Sequence, residues 1–410
     1  MAKQIIGTKQ ANNISVNESE TTVYAGAGND TITVLKGDLV LINGEAGNDS
    51  ITINAKAGKG NRIFGGTGAD TIKIRGGSYS YFNGDKGNDK ITVSGGTNHA
   101  VRGGVGNDTI TVIGGNNNRF YGDAGVDTFK IKGGSKNIVY GGDGGDKITL
   151  TKGTGNSIYG NGGADIIEIK GGSANLILGG KGADKITVSG GTGSTIYGHE
   201  GENILIINGG SKNKIYDGNN GDKITLTKGT GNKVYGNGGA DIIEIKGGSD
   251  NAISGGKGAD KITISGGTGN TIYGNEGENI VQINGGSKNN IYGGTNGEKI
   301  TVTGGTENRI YGNDGDDIIE IKGGSANVFF SGNGSDTFAF SSGFTKTCTI
   351  AGYQTDDIFK FNGVGYSDFT IEEKDVTINL DNGATIKIIG GKGRTLTYED
   401  GSGTHSLKFL

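Results

Sequence analysis

The sequence predicts an all-β protein, a right-handed parallel β-roll or β-solenoid of about 17 coils with 19 residues in each coil. Three observations predict this fold. A unit close to x-I-Y-G-x-x-G-x-D-x-I-x-I-x-G-G-x-x-N recurs every 19 residues from Asp70 to Asp336, after one step of 21 residues that follows Asp49. Apolar residues alternate within each unit, and glycine-rich turns separate the alternating segments. So short and regular a period indicates units that stack on their neighbours.

Each unit contains two short strands and two glycine turns. In "DKITL", Ile148 and Leu150 are two residues apart, and Ile158 lies in the next alternating segment. A period of two is that of a β-strand. The 87 glycines supply the turn conformations, and the absence of proline leaves every backbone N–H able to pair with the next coil. We expect one inward column to contain Ile158, Ile177, Ile196 and Ile215.

Two outward faces follow from the same pattern. A ladder of tyrosines either stabilises the sheet by stacking or binds sugar rings; the ladder contains Tyr121, Tyr140, Tyr159, Tyr197, Tyr216, Tyr235, Tyr273, Tyr292 and Tyr311. On the opposite strand the outward residues alternate from coil to coil, with Lys147 and Thr149 followed by Ile166 and Glu168. That alternation sets lysine diagonal to glutamate and indicates a solvated face that fixes the register.

The two turns of a unit end differently, one in asparagine and the other in aspartate. Asparagine amides can donate and accept along a column, which includes Asn118, Asn137, Asn156, Asn175, Asn213, Asn232, Asn251, Asn270, Asn289, Asn308 and Asn327. Stacked carboxylates repel by about 3 kcal/mol at an effective dielectric of 20. Lys147 follows its aspartate but points to the opposite face of the strand. A hard divalent cation such as calcium, bound by carboxylates and turn carbonyls, is better placed.

The predicted metal ligands are therefore the aspartates of this column, Asp30, Asp49, Asp70, Asp89, Asp108, Asp127, Asp146, Asp165, Asp184, Asp222, Asp241, Asp260, Asp317 and Asp336. Asparagine or glutamate replaces the aspartate at Asn203, Asn279 and Glu298, which makes these coils weaker candidates. Because the second edge ends in asparagine, we expect Ca²⁺ ions mainly along one edge of the roll.

Segments such as "GGTGADTIK" and "GGKGADKIT" resemble the nonapeptide G-G-x-G-x-D-x-U-x of the RTX (repeats-in-toxin) family, whose repeats bind calcium. The resemblance implies a parallel β-roll that folds on calcium outside the cell. It also implies that turn carbonyls and aspartates of successive coils hold each ion, and that type I secretion reads an uncleaved C-terminal signal. The glycines that it adds to the predicted site are Gly65, Gly103, Gly141, Gly160, Gly179, Gly236 and Gly255.

Composition excludes several other classes of protein. The net charge is -4 with interspersed signs, which argues against nucleic acid as a partner. Cys348 has no second cysteine for a disulfide. The first residues, "MAKQIIGTKQANN", lack the pattern of a signal peptide, and no apolar run approaches the roughly 20 residues of a membrane span. We expect an extracellular or cell-surface protein that is exported without an N-terminal signal peptide.

The predicted domains are an N-terminal lead-in coil (1–22), the calcium-binding repeats (23–340) and a C-terminal β cap with the secretion signal (341–410). In the cap, Asp381, Asn382 and Gly383 predict a hairpin turn. A cap of this kind covers the open β edge of the last coil.

An enzyme is not expected, because His99, His199 and His405 are scattered and the carboxylates form a regular column instead of an isolated pair. The function predicted is that of a secreted calcium-binding structural protein of a bacterial surface: a surface layer, matrix or fibre component, with end-to-end self-association. The alternative is a carbohydrate-binding or adhesion module in which Tyr197, Tyr216 and Tyr235 contact a surface glycan.

Overall fold

The computed structural model describes residues 3–401 and 403–409, and these residues form strands and turns without any helix. The chain divides into two compact units, Met1–Ile204 and Leu205–Leu410. Each unit is a parallel β-solenoid in which every turn contributes one strand to each of two faces. We call these the tyrosine face and the lysine face, after the residues that they present outward.

In the first unit, strands pair in parallel with the strand one coil away, as Ile138 pairs with Ser157 and Ile158 with Ile177. Its tyrosine face consists of Lys3–Thr8, Thr21–Gly26, Leu41–Asn43, Arg62–Thr67, Tyr81–Lys86, Ala100–Val105, Arg119–Ala124, Ile138–Asp143, Ser157–Gly162, Leu176–Lys181 and Thr195–Glu200. Its lysine face consists of Asn13–Val16, Thr31–Val34, Ser50–Ile53, Thr71–Ile74, Lys90–Ser94, Thr109–Ile113, Thr128–Ser135, Lys147–Thr154, Ile166–Ile169 and Lys185–Val188.

The second unit repeats this arrangement, and the strand Ile204–Ile207 contains the boundary between the units. Its tyrosine face consists of Lys214–Tyr216, Lys233–Gly238, Ala252–Lys257, Thr271–Glu276, Asn290–Gly294, Arg309–Asp314, Asn327–Asn333 and Thr347–Ala351. Its lysine face consists of Lys223–Leu226, Ile242–Ile245, Lys261–Ile264, Ile280–Ile283, Lys299–Val302, Ile318–Ile321, Thr337–Ser341 and Ile358–Asn362.

The parallel β-solenoid is confirmed, but the number of turns is larger than predicted. The tyrosine-face strands described give eleven turns in the first unit and eight in the second, against about 17 predicted. The prediction counted residues 23–340 and so omitted two turns. One is the coil formed by Lys3–Thr8 and Asn13–Val16, and the other is formed by Thr347–Ala351 and Ile358–Asn362.

The core is a thin stack of aliphatic side chains between the two faces. Burial alternates along each strand, so that in Lys147–Thr154 the side chains of Ile148 and Leu150 are buried while Lys147 is exposed. Within the first unit, the inward column Ile158, Ile177 and Ile196 is confirmed by direct pairing. Burial of these columns removes apolar surface from water at every coil, which is the main stabilising contribution of such a fold.

The lysine face shows the predicted diagonal ion pairs. Lys299 Nζ lies 3.0 Å from Glu320 Oε1 in the next coil, and Lys223 Nζ lies 3.8 Å from Glu244 Oε1. These pairs are exposed, so that each contributes at most about 1 kcal/mol. Their role is to favour one register of the coils over its neighbours.

Antiparallel strands close the C-terminal end of the second unit. Thr385–Ile388 continues the tyrosine face by pairing in parallel with Thr347–Ala351, and Thr395–Asp400 continues the lysine face beside Ile358–Asn362. Their outer edges are covered by Asp375–Leu380 and Gly403–Lys408, and Tyr366–Glu372 pairs with Asp375–Leu380. The predicted hairpin is confirmed, because the turn through Asp381, Asn382 and Gly383 joins antiparallel strands.

Candidate metal centre

Within each unit the predicted aspartates lie in one inward column at the start of the lysine-face strands, and all fourteen are 0–2% exposed. In each unit, Oδ1 of one aspartate accepts the backbone N–H of the equivalent residue one coil earlier. Examples are Asp127 N to Asp146 Oδ1 at 2.7 Å and Asp146 N to Asp165 Oδ1 at 2.7 Å. This bond was not anticipated, and it corrects the expectation that only a cation could explain the column.

The second carboxylate oxygen has no such partner. Among the described residues, Oδ2 is buried without a hydrogen bond in Asp30, Asp49, Asp70, Asp89, Asp108, Asp127, Asp146, Asp165, Asp184, Asp241, Asp260, Asp317 and Asp336. A native fold rarely leaves one buried polar atom without a partner, and a bound ion is one of the standard explanations. Repetition of the same unsatisfied atom along a column points to a ligand that the column is built to hold.

In eleven of the fourteen cases a glycine five residues before the aspartate makes room for this oxygen; Ala25, Asp217 and Ser331 stand at that position before Asp30, Asp222 and Asp336. A Cβ on Gly141 would lie 2.3 Å from Asp146 Oδ2 and 2.5 Å from the carbonyl oxygen of Gly160 in the next coil. The predicted glycines Gly65, Gly103, Gly141, Gly160, Gly179, Gly236 and Gly255 all have this arrangement, at 2.1–2.3 Å from Oδ2. We call the space beside each of them the glycine cradle.

Four further cradle glycines were not predicted from the sequence: a Cβ on Gly44, Gly84, Gly122 or Gly312 would lie 2.1–2.3 Å from Oδ2 of the aspartate five residues later. The spacing Gly-x₄-Asp would have found them. Asp357, whose Oδ1 accepts the N–H of Asp336 at 3.1 Å, was also not predicted, because the step between these two residues is 21 instead of 19.

A family profile described as the RTX calcium-binding nonapeptide repeat (4 copies) matches residues 6–38, 58–73 and 302–320. These segments contain Asp30, Asp70 and Asp317 of the column. The chain contains RTX-type repeats. A comparison with curated proteins finds no similar one. RTX repeats bind calcium, and their β-roll is the fold described above.

The RTX column is electrostatically unsatisfied without a cation. Burial, the largest cause, raises the pKa of these carboxyls from 3.8 to about 6 in Asp49, Asp70, Asp108, Asp127, Asp184 and Asp260. It raises the pKa to about 7 in Asp89, Asp146, Asp165, Asp241 and Asp336. The backbone hydrogen bond to Oδ1 acts in the opposite direction, and neighbouring carboxylates mostly add a smaller rise. Desolvation is therefore a larger cause than the mutual repulsion used in the sequence argument.

The donor set fits a hard cation. Each cradle offers an unsatisfied carboxylate oxygen and a backbone carbonyl from the following coil, and calcium prefers oxygen ligands of these two kinds. Across the described residues, no three His, Cys, Asp or Glu side chains are grouped in a way that would hold a metal ion. Backbone carbonyls would therefore have to complete the coordination of an ion bound to these RTX coils.

Three coils depart from the RTX pattern. Asn203 and Asn279 keep the Oδ1 bond, to Asp184 N at 2.9 Å and to Asp260 N at 3.0 Å. At Glu298 both carboxylate oxygens are buried without a hydrogen bond, and burial together with the nearby Asp317 raises the pKa of this glutamate. The cradle thus retains an acid at Glu298 and has an amide at the other two.

Asp222 also differs from the other aspartates of the column. Its Oδ2 accepts the N–H of Gly218 at 3.3 Å. The residue five positions earlier is Asp217 instead of a glycine, and its side chain is 4% exposed. This coil therefore lacks the standard glycine cradle, although Asp222 lies in the column as predicted.

The asparagine edge satisfies both atoms of its side chains. Oδ1 of Asn156 accepts the N–H of Asn137 at 2.9 Å, and Nδ2 of Asn156 donates to Asn175 Oδ1 at 3.3 Å and to Gly134 O at 3.4 Å. The predicted amide ladder is therefore confirmed. His99 occupies the same column, where its Nδ1 accepts the N–H of Ser80 at 3.3 Å.

The tyrosine ladder is stacked ring on ring. Centroids are 5.1 Å apart for Tyr121 and Tyr140, 4.9 Å for Tyr216 and Tyr235, and 4.6 Å for Tyr292 and Tyr311. Each ring thus covers the face of its neighbour. A continuous run of this kind stabilises the sheet and leaves mainly ring edges for a ligand.

The described part of the chain has no helix with the length and apolar character of a membrane span.

Proposed function

We propose that this chain is an exported, calcium-binding structural protein of a bacterial surface: a component of a surface layer, an extracellular matrix or a fibre. The roll folds, in this proposal, when calcium enters the glycine cradles outside the cell. The observation that carries it is the repeated buried Oδ2 atom without a hydrogen bond. Ion binding would remove an unfavourable buried charge at most coils, so that calcium binding and folding would be strongly coupled.

A structural role is favoured over catalysis by the regularity of the carboxylates. An enzyme needs a group whose environment differs from that of its neighbours. Here Asp108, Asp127 and Asp146 have the same burial, the same Oδ1 bond and the same cradle. Their repetition suits a load-bearing or surface-covering protein. In the same proposal, residues 341–410 carry the signal for type I secretion, and coils of different molecules associate end to end.

The proposal is tested by a calcium titration of metal-stripped protein, followed by far-UV circular dichroism and by calorimetry. We expect a cooperative gain of β signal and the binding of several ions per chain. A protein that is fully folded after metal removal, and that binds no calcium, would contradict the proposal. Magnesium serves as the control cation, since it demands a tighter octahedral site.

The variant Asp146→Asn tests whether Asp146 is a ligand of the ion or has only a structural role. The amide keeps the Oδ1 bond to Asp127 N and can donate from Nδ2, as Asn156 does on the other edge. Without calcium, a larger fraction of the variant than of the native protein should therefore be folded, as far-UV circular dichroism measures it, because the variant removes a buried atom without a partner. With calcium it should bind fewer ions and gain less stability. Equal ion counts in the two proteins would exclude Asp146 as a ligand.

A further inference from the structure

The tyrosine ladder is interrupted every fourth coil. The residues that stand in the ladder between groups of three tyrosines are Arg102, Leu178, Ser254 and Phe330, each 76 residues from the next. Three of the four fill the ladder. Arg102 lies over the ring of Tyr121 at 4.9 Å, Phe330 stacks on Tyr311 at 4.3 Å, and Leu178 pairs with Tyr159 and Tyr197.

Ser254 leaves a gap. It pairs with Tyr235 on one side and with Tyr273 on the other, so that two tyrosine rings border one small side chain. The residue beside it on the same strand is Ala252, where the equivalent coil of the first unit has Leu176. Tyr273 is 38% exposed, whereas Tyr140, which has a ring on both sides, is half-buried. We call this space, bordered by Tyr235, Ser254 and Tyr273, the ladder gap.

The ladder gap has the width of a single sugar ring. Two strand spacings separate the bordering tyrosines by roughly 9.6 Å. Tyr235 is parallel to Tyr216 within 6° and Tyr273 to Tyr292 within 11°, so both bordering rings keep the orientation of the ladder and turn a face toward Ser254. A guest that contacts carbon atoms on both sides at about 3.5–4.0 Å needs about 7–8 Å. A puckered pyranose fills the remaining width better than a flat aromatic ring does.

Polar groups surround the gap where the hydroxyls of a sugar would lie. Asn275 Nδ2 donates to Ser254 Oγ at 2.6 Å, so that the serine hydroxyl proton can still be donated to a ligand. Asn237 Nδ2 donates to the carbonyl of Asp217 at 2.7 Å. Neither bond uses the Oδ1 atom of the amide, which is an acceptor. Between them stands Gly256, where a Cβ would lie 2.0 Å from the carbonyl oxygen of Asn237, so no side chain obstructs the rim at this coil.

We propose that the ladder gap binds one neutral pyranose unit of a polysaccharide, with its C–H faces against Tyr235 and Tyr273 and its hydroxyls on Ser254 and the two amides. An aromatic side chain from another protein would present an apolar edge to these polar groups. The inference does not depend on calcium binding in the aspartate column, which lies on the other strand of the coil. It also restricts glycan binding to one place on the tyrosine face of the second unit.

The test measures the binding of cellohexaose, chitohexaose and maltohexaose to the full chain in calcium, by calorimetry. Native protein should bind at least one of the three with one site per chain. Ser254→Leu copies the residue of the equivalent coil and should weaken this binding about tenfold or more, since it fills the gap. Ser254→Tyr, which completes the ladder, should do the same. Circular dichroism and the calcium count show in each case that the roll is intact.

The first unit offers a gain-of-function control. Leu176→Ala and Leu178→Ser reproduce the gap between Tyr159 and Tyr197, and His199→Asn adds the second amide beside Asn161. The triple variant should raise the stoichiometry of sugar binding from one to two. The proposal is overturned if none of the three sugars binds the native protein, or if Ser254→Leu binds as the native protein does. It is also overturned if Ser254→Leu changes only self-association, because the guest would then be an aromatic side chain of a second copy.

Discussion

The aspartate and asparagine edges of the roll use the same hydrogen bond and differ in one atom. On both edges, Oδ1 of a buried side chain accepts the backbone N–H of the equivalent residue one coil earlier, at 2.7 Å for Asp146 and at 2.9 Å for Asn156. The second atom of asparagine donates to carbonyl oxygens, whereas the second atom of aspartate lies beside a carbonyl oxygen with no proton to donate.

This difference shows which edge is complete in the protein alone. The asparagine edge needs no ligand, because the oxygen and the nitrogen of its side-chain amides both find partners in the neighbouring coils. The aspartate edge retains a charge that is buried against glycine, and it becomes complete only when a proton or a cation arrives. The comparison therefore predicts opposite responses of the two edges to pH and to exchange of the residues.

The largest expected effect is the pH dependence of metal-free protein. The folded pKa of the column, about 6 at Asp108 and about 7 at Asp146, lies above the ordinary value of 3.8. The folded state therefore binds more protons between these values, and this contribution to stability is present below pH 3.8 and is lost as pH rises through about 7. We expect metal-free protein to show more β signal in far-UV circular dichroism at pH 4.5 than at pH 8.

Calcium should reverse that trend, because only the ionised carboxylates bind it. Hydrogen bonds to lysines lower the pKa of Glu168, Glu244 and Glu320, so these residues favour the folded state as pH rises. Their contribution to stability is small, because they lie on the lysine face where solvent screens their charges. A β signal of metal-free protein that rises steadily from pH 4.5 to pH 8 would contradict the proposed difference between the edges.

The next effect is expected from Asn156→Asp, which converts one position of the complete edge into an incomplete one. The variant loses the donation from Nδ2 to Gly134 O and buries a charge, which should cost about 3 kcal/mol of the free energy of unfolding. Chemical denaturation in calcium measures it. The reverse exchange on the other edge, Asp146→Asn, is the matched control and should raise stability in metal-free buffer. Equal signs for both exchanges in that buffer would refute the comparison.

Gly141→Ala should have a somewhat smaller effect. A Cβ there meets Asp146 Oδ2 at 2.3 Å and Gly160 O at 2.5 Å, and overpacking of this kind costs about 1–3 kcal/mol. It should also lower the number of calcium ions bound. Gly401→Ala is the control, because a Cβ at Gly401 meets no atom within 4 Å. Unchanged calcium binding in Gly141→Ala would show that the glycine cradle is not part of the site.

The smallest effect is expected from His99→Asn, which restores the amide to the one histidine position of the asparagine edge. His99 Nδ1 accepts from Ser80 N at 3.3 Å, and the imidazole replaces the shorter amide bond of the other coils. Burial lowers the pKa of His99, so the ring is neutral in the folded state. Stability should change by less than about 1 kcal/mol. A large loss would show that the edge depends on more than its amide hydrogen bonds.

The sequence predicted the solenoid and the position of the aspartates because both depend on period alone. A period of 19 places Asp127, Asp146 and Asp165 in one column whatever the details of the turn. The depth of the carboxylate does not follow from period. It depends on the cradle glycine five residues earlier, a spacing within a turn, and this is why the Oδ1 bond and the role of Gly84 were not foreseen.

The ladder gap was missed for a related reason. The tyrosine pattern in the sequence shows which coils have a ring in the ladder, but it does not show what lies between the groups of rings. In the structure, Ser254 pairs directly with Tyr235 and Tyr273, and this pairing reveals the gap. Asp357 was missed because it follows a step of 21 residues, so the period that found the other aspartates excluded it.

The Oδ1 bonds also give the aspartate column a direction. Each carboxylate secures the coil before it, so that within a unit every coil is completed by the one that follows. Asp357 in the last coil accepts the N–H of Asp336, and Asp30 in turn accepts the N–H of Asn12. Removing the segment after Asp336 would remove the hydrogen bond from Asp336 N to Asp357 Oδ1. Removing the first strands would leave the later Oδ1 bonds of the first unit in place. Truncation after Asp336 should therefore weaken the adjoining coils of the second unit more than removal of the first strands weakens the coils that follow them in the first unit.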